Sequence, residues 1–298
     1  MSKRILVVGD AMLDVTKRGT ARRLSPEAPV PVLSHELTDY RAGGAANVAK
    51  NVRAMGGAVK FISCSGVERD AGQLLREKCM GLDTTWIHSA FTTQRTRFFA
   101  DNHMLLRVDV DALCSSGESD LIYEAVCEEL PHASLLVLSD YAKGALAKTA
   151  LMIRAAHEHN VRVLVDPKGA DWMRYQHADW IKANEAEVNA AMAYHDEPHM
   201  RDLQQDLSVG ALIVTRGAQY PLLVTDRTTR SAPFILPKRV VDVTGGGDSY
   251  VAAMAVCLAA GSTLDHALEF AARAGAVAVS QPGTYVVTKE DVSNVAAV

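Results

Sequence analysis

The chain has 298 residues, 48% hydrophobic and 22% charged, with a formal net charge of -4. Those values suit a soluble globular protein with a sizeable core. They exclude a basic surface built for nucleic acid or an anionic membrane, so a small anionic ligand would depend on local basic residues.

From the N-terminus, Met1-Ser2-Lys3-Arg4 leads into only four strongly apolar positions, 5–8, before Gly9-Asp10. This is shorter than the apolar region of a signal peptide, and no later run approaches the ~18 apolar residues of a membrane span. Positions 5–8 read as a strand. Residues 15–40 contain Pro26, Pro29 and Pro31, too many for a helix or a central strand. Ala45, Val48, Ala49, Val52 and Met55 mark one face of a helix that Gly56-Gly57 ends. Residues 61–64 read as a strand. Residues 93–110, with Arg95, Arg97, Phe98, Phe99, Leu105, Leu106 and Val108 around Asp101-Asn102, read as a hairpin. Strands at 135–138, 161–165 and 212–215 follow, with helices at 146–159, 249–260 and 264–279.

Strand-helix alternation of this kind predicts an α/β fold, a parallel sheet flanked by helices on both faces. The whole chain, 1–298, is expected to form one domain, with 15–40 and 93–110 making a small inserted β lid. A lid of strands has edges and an apolar face to cover, and pairing two lids predicts a homodimer. Cys64, Cys79, Cys114, Cys127 and Cys257 are scattered, without a C-x-x-C pair; they point to a reducing cytoplasm rather than a disulfide framework. His195-Asp196-Glu197-Pro198-His199 has metal-like spacing, but Pro198 should break the helix needed to aim both rings at one ion, which favours an exposed loop.

Ligands of open parallel sheets bind beyond the carboxyl ends of the strands. Asp10, Asp14, Asp140, Asp166, Lys168, Asn184 and Thr215 fall at such ends, although each alone also suits a turn or cap. The most informative passage is Val241-Asp242-Val243-Thr244-Gly245-Gly246-Gly247-Asp248-Ser249, running into an apolar helix. Glycines at a helix start offer backbone amides and the positive end of the dipole to a phosphate. A carboxylate there is repelled by that ligand unless it works as a base, so Asp248 points to phosphoryl transfer to an alcohol. The same residues also suit a flexible turn with a negative group in a first helical turn.

The chain resembles the ribokinase-like carbohydrate kinases over nearly its whole length. The resemblance rests on Gly43-Gly44-Ala45-Ala46-Asn47-Val48-Ala49, Asn184-x-x-Glu187 and Asp242-Val243-Thr244-Gly245-Gly246-Gly247-Asp248, in that order. Within the family, residues 25–32, Leu138-Ser139-Asp140-Tyr141-Ala142-Lys143-Gly144 and Asp166-Pro167-Lys168-Gly169 are similar to the branch that phosphorylates the anomeric hydroxyl of D-glycero-β-D-manno-heptose 7-phosphate with ATP, a step toward the ADP-heptose of lipopolysaccharide. The resemblance implies that Asp248 is the catalytic base and that Gly245, Gly246 and Gly247 form the anion hole. It implies that Asn184 and Glu187 hold Mg2+, with Asn184, Thr215 and Gly217 along the nucleotide. Asp14, Gly43, Gly44 and Asn47 would face the sugar, as would Asp140. Arg97, Arg107, Lys143 and Lys168 are the candidate cations for its phosphate; each equally suits a solvated surface charge.

Four positions depart from the family pattern. Gly246 and Ser249 stand where alanine and threonine are usual, Ala183 replaces a proline and is expected to loosen the turn at Asn184, and Tyr220 stands where a second glycine is usual, which brings a side chain toward the nucleotide. No H-x-G-H motif occurs, so adenylyl transfer is expected to belong to another protein.

Overall fold

The computed structural model describes residues 4–101, 103–192 and 197–295. Asn102 and His195, both singled out above, lie outside the described residues. The first strand, β1 (Arg4–Gly9), is apolar on both faces because it runs through the middle of a sheet covered on both sides. Leu6 and Val8 point to one layer and Ile5 and Val7 to the other, as a period of two requires. Around it pair β4 (Val59–Gly66), β5 (Asp83–Ser89), β8 (Ala133–Ser139), β9 (Arg162–Asp166), β10 (Trp180–Asn184) and β11 (Ala211–Arg216), all parallel. Two antiparallel strands, β12 (Gln219–Val224) and β13 (Thr229–Ser231), complete the order β13-β12-β11-β10-β9-β8-β1-β4-β5.

One apolar layer holds α1 (Ala45–Ala54), α7 (Gly246–Ala259) and α8 (Leu264–Val279); the other holds α3 (Ser116–Glu129) and α4 (Thr149–Glu158). The short α5 (Glu185–Ala191) follows β10 on that second side. Alanines at 252, 253 and 255 of α7, and at 267, 271 and 274 of α8, are buried and let these helices approach closely beneath the sheet. Asp196 likewise lies outside the described residues, and a helix α6 (Glu197–Asp206) takes in the last three residues of the segment expected as a loop. Pro198 falls in its first turn, where no intrahelical N–H is needed.

The lid is a separate four-stranded sheet, ordered β3-β2-β6-β7, from β2 (Ala11–Thr20), β3 (Ser34–Gly44), β6 (Gln94–Ala100) and β7 (His103–Val110). Its strands extend past the expected 15–40 boundary, since β2 begins one residue after Asp10 and β3 runs to Gly44. The three prolines sit in the connection between β2 and β3, where Leu24 bridges Pro31. The lid therefore carries Asp14 and the Gly43-Gly44 pair within its own strands. In the main sheet, Gly9 pairs with Ser139, Ser139 with Asp166 and Asn184 with Thr215. The carboxyl ends thus finish level, and the polar residues that follow them form one rim.

Candidate active site

Asp248 occupies the first turn of α7 and is 6% exposed. Gly245 caps this helix with φ 77°, a left-handed conformation that favours glycine, and a Cβ there would lie 2.9 Å from Asn47 Nδ2. Asn47 Nδ2 donates to one oxygen of Asp248 at 2.8 Å and the Tyr141 hydroxyl donates to the other at 2.5 Å. Burial raises the Asp248 pKa above the ordinary carboxylate value; the Asn47 and Tyr141 hydrogen bonds and Lys182 oppose this, while Asp14 adds to it. A carboxylate so placed is a better proton acceptor than one in water.

The amides beside it are not equivalent. Gly246 N–H donates to Val243 O at 3.3 Å, whereas those of Gly245, Gly247 and Asp248 have no acceptor within the described chain. Asp242 holds this turn in place, accepting from Thr244 N and Gly283 N at 2.9 Å each. The anion hole predicted from three glycines is thus offered chiefly by Gly245 and Gly247, with the amide of Asp248 beside them.

A cavity of about 560 Å³ opens on the α7 side of this turn, lined by Lys182, Asn184, Thr215, Gly217, Gly246 and Gly247 at one end and by apolar residues such as Phe234, Leu236 and Val279 at the other. Polar groups at one end and apolar walls at the other suit a molecule with an anionic and a flat apolar part. The Tyr220 ring packs on Phe234, which lines the apolar end, at 5.5 Å between centroids. The Ala183 carbonyl, just before Asn184, accepts from Thr215 Oγ1 at 3.2 Å.

On the other side of Asp248 stand the lid and the entry to α1. Gly44 caps α1 with φ 61°, and a Cβ on Gly43 would lie 2.3 Å from Asp14 Oδ2, so the backbone runs closely past that carboxylate. Arg97 donates to Asp14 Oδ1 at 2.9 Å, and its charge also reaches Asp242. The other predicted cations are paired too: Arg107 with Asp109 at 2.9 Å, Lys143 with Asp111 at 2.7 Å and Lys168 with Glu187 at 3.1 Å. Arg95, in contrast, pairs with no carboxylate among the described residues. Its guanidinium lies 5.7 Å from the Tyr141 ring centroid, and its Nε is buried without an acceptor.

Comparison with known proteins fits this geometry. The family model described as pfkB family carbohydrate kinase matches residues 2–291. The chain belongs to this family. It is 38% identical, over 97% of its length and 95% of the other's, to the D-beta-D-heptose 7-phosphate kinase of Bordetella bronchiseptica. It is 36% identical to the bifunctional protein HldE of Shewanella amazonensis, of whose length the match covers only 62%. Among solved structures, the Arabidopsis thaliana ribokinase complexed with ribose and ATP superimposes with a TM-score of 0.78, 20% identity and 98% coverage of each chain. Phosphofructokinase-2 from Escherichia coli does so with 0.82, 21% identity and coverage of 98% and 97%. These two bear out the ribokinase-like fold.

Against the pfkB pattern, Asp14, Gly43, Gly44, Asn47 and Asp248 come together, as do Asn184, Thr215, Gly217 and the glycine turn. Asp140 does not offer a free carboxylate: it is buried and accepts from Tyr175 Oη at 2.7 Å, Ala142 N at 2.7 Å and Arg174 at 3.3 Å, while Asp10 holds the loop that follows by accepting from Tyr141 N, Lys143 N and Ala145 N. Asn184 and Glu187 form a reciprocal cap on α5, each side chain accepting from the other's backbone N–H at 2.9 Å. Asn184 is thus the N-cap of α5, with Glu187 in its first turn. Their donor set is oxygen alone, which suits Mg2+ held mainly through water and phosphate; no group of three or more His, Cys, Asp or Glu able to hold a metal occurs among the described residues.

Sequence reasoning missed Tyr141 and Lys182. Tyr141 lay inside a quoted motif but had no signal of its own. Lys182 did have one, a lone cation in the otherwise apolar run Trp180-Ile181-Lys182-Ala183.

Proposed function

We propose that this chain transfers the γ-phosphoryl group of ATP to the anomeric hydroxyl of D-glycero-β-D-manno-heptose 7-phosphate, giving the 1,7-bisphosphate. The observation that carries the kinase reading is the place of Asp248. It is a buried carboxylate with a raised pKa, in the first turn of α7 beside the cavity's glycine turn, hydrogen-bonded to Asn47 at the entry to α1 and within reach of the charge of Asp14 on the second sheet. The named relative at 38% identity over nearly both full lengths supports the heptose phosphate as substrate.

In this mechanism the sugar lies under the lid, oriented by Asp14, Asn47 and the close backbone at Gly43-Gly44. Its hydroxyl donates to an oxygen of Asp248, which takes the proton as the sugar oxygen attacks phosphorus. Free amides of the Gly245–Gly247 turn hold the charge that builds on the phosphoryl oxygens. Asn184 and Glu187 would hold Mg2+, which when bound neutralises phosphate charge. Thr215 and Gly217 lie along the nucleotide phosphates and the apolar end of the cavity takes the base. Arg97, Arg107, Lys143 and Lys168 stay the candidates for the 7-phosphate, each exchanging a carboxylate partner for the ligand, and Arg95 joins them with no partner to exchange.

Two copies pair through the lid in this reading, because β7 exposes Met104, Leu105, Leu106, Val108 and Val110. Five free thiols support a reducing cytoplasm as its location; no described helix is long and apolar enough to cross a membrane. ADP release with Mg-ATP and a sugar panel tests the substrate, with phosphorus NMR of the product. An anomeric phosphate formed only from the heptose 7-phosphate is expected; turnover with unphosphorylated sugars alone would keep the chemistry and discard this substrate.

A further inference from the structure

Lys182 is 3% exposed, in the middle of the sheet face that packs on α7. Burying an ammonium is costly without compensation, and here the compensation is incomplete. One of its three protons is directed to Asp166 Oδ1, at 3.1 Å; no other acceptor within the described chain takes the remaining two. Its surroundings compound the cost. Nζ would lie 2.9 Å from a Cβ at residue 247, so it sits against the first turn of α7, where the helix dipole is positive and a cation is normally disfavoured. The same atom's residue lines the polar end of the cavity, beside Asn184, Thr215, Gly246 and Gly247. A buried cation, the positive end of a helix and unpaired amides face one small volume. Asp166, Glu187 and Asp248 are the carboxylates whose charges reach this ammonium.

We propose that Lys182 is a catalytic residue whose ammonium binds the terminal phosphoryl group of the nucleotide and holds its charge during transfer, with Asp166 as the residue that positions it. This rests on the kinase reading above. In the step itself the bond from the sugar oxygen to the γ-phosphorus forms and the bond from that phosphorus to the bridging oxygen breaks, its electron pair leaving with ADP. The hydroxyl proton goes to Asp248. Lys182 stays protonated throughout and gives up no proton. The role also accounts for glycine at 247, since any side chain there would displace the ammonium from its place by the amide turn.

The test is the affinity of the Lys182→Met variant for Mg-ATP and Mg-ADP by calorimetry, with steady-state kinetics. An ammonium that touches only the terminal phosphate matters for ATP and not for ADP. The ATP-to-ADP affinity ratio is expected to fall about ten- to a hundredfold and kcat by about a hundredfold, with KM for the sugar little changed. A merely structural ion pair would instead lower the Tm and leave that ratio alone. Because Lys182→Met leaves Asp166 buried without a partner, the double variant Lys182→Met with Asp166→Asn is measured beside it and is expected to lose the same discrimination. An unchanged ratio with kcat within threefold of wild type, in whichever variant folds, overturns the proposal while leaving the kinase reading intact. Wild-type protein that transfers phosphate to no sugar and does not favour ATP over ADP overturns both.

Discussion

At the scale of single residues, the chemistry turns on how Asp248 is held. Burial raises its pKa and the Tyr141 hydroxyl pulls it back. Tyr141→Phe removes that donor, so the pKa rises further and the acid limb of kcat/KM moves to higher pH; an unmoved limb would separate Tyr141 from the base. Asp248→Asn should reduce kcat by ~10²–10⁴, and it also has a sign in stability. A carboxylate whose folded pKa lies above its unfolded value favours the fold when protonated and loses that contribution as pH rises through the folded pKa. The Tm of Asp248→Asn relative to wild type is therefore expected to improve from pH 4 upward, to be read by thermal melts across that range. The base was legible in the sequence because a carboxylate after three glycines is chemically odd. Tyr141 was not, because its hydroxyl reaches residue 248 only after the sheet has brought two distant loops to one rim. The four predicted phosphate cations were visible as charges, but the carboxylates that hold them, Asp14, Asp109, Asp111 and Glu187, are set by strand register and loop packing that composition does not encode.

At the scale of elements, a residue's service to its helix and its service to a ligand can coincide. Asn184 and Glu187 cap α5 and are also the proposed Mg2+ ligands, and two substitutions separate the roles. Asn184→Ser keeps a capping oxygen, so the Tm should stay within about 2 °C of wild type while the Mg2+ concentration for half-maximal rate rises. Asn184→Ala should lose the cap as well, at roughly 1 kcal/mol, and show both effects. If the serine variant needs no more Mg2+ than wild type, the pair is a cap alone. Most main-sheet strands were legible because a strand buried on both faces is a continuous apolar run, as in residues 5–8. Strand β5 was not, since Asp83, Thr84, Thr85 and His88 give an edge strand no apolar signal. The capping boxes of α3 and α5 sit at the starts of helices whose own apolar patterns are weak.

At the scale of the whole molecule, the lid presents a sheet whose outer strand β7 is exposed along its length. Light scattering is expected to give a dimer of twice the 32.1 kDa chain mass, and Leu106→Asp, on an exposed position of that strand, should shift it to monomer; a wild-type monomer would remove the lid pairing. That these two stretches stand apart from the main sheet was readable from their break in the strand-helix alternation. The parallel pairing of β2 with β6, which joins those stretches, was not, because nothing local records which distant strand lies alongside.

Two of the lid's four connections to the body have no linker. Strand β1 becomes β2 across the single residue Asp10, and β3 passes at Gly44 straight into α1, whose first turn carries Asn47 against the base. Such a joint makes the lid a lever with a very short arm. A sugar that tilted it would move Asn47, the partner of Asp248, whereas a water molecule under the same roof would have nothing to push against. Thrift with ATP would then come from the size of the acceptor as much as from dryness, and the enzyme would gauge its substrate mechanically before spending the phosphate on it.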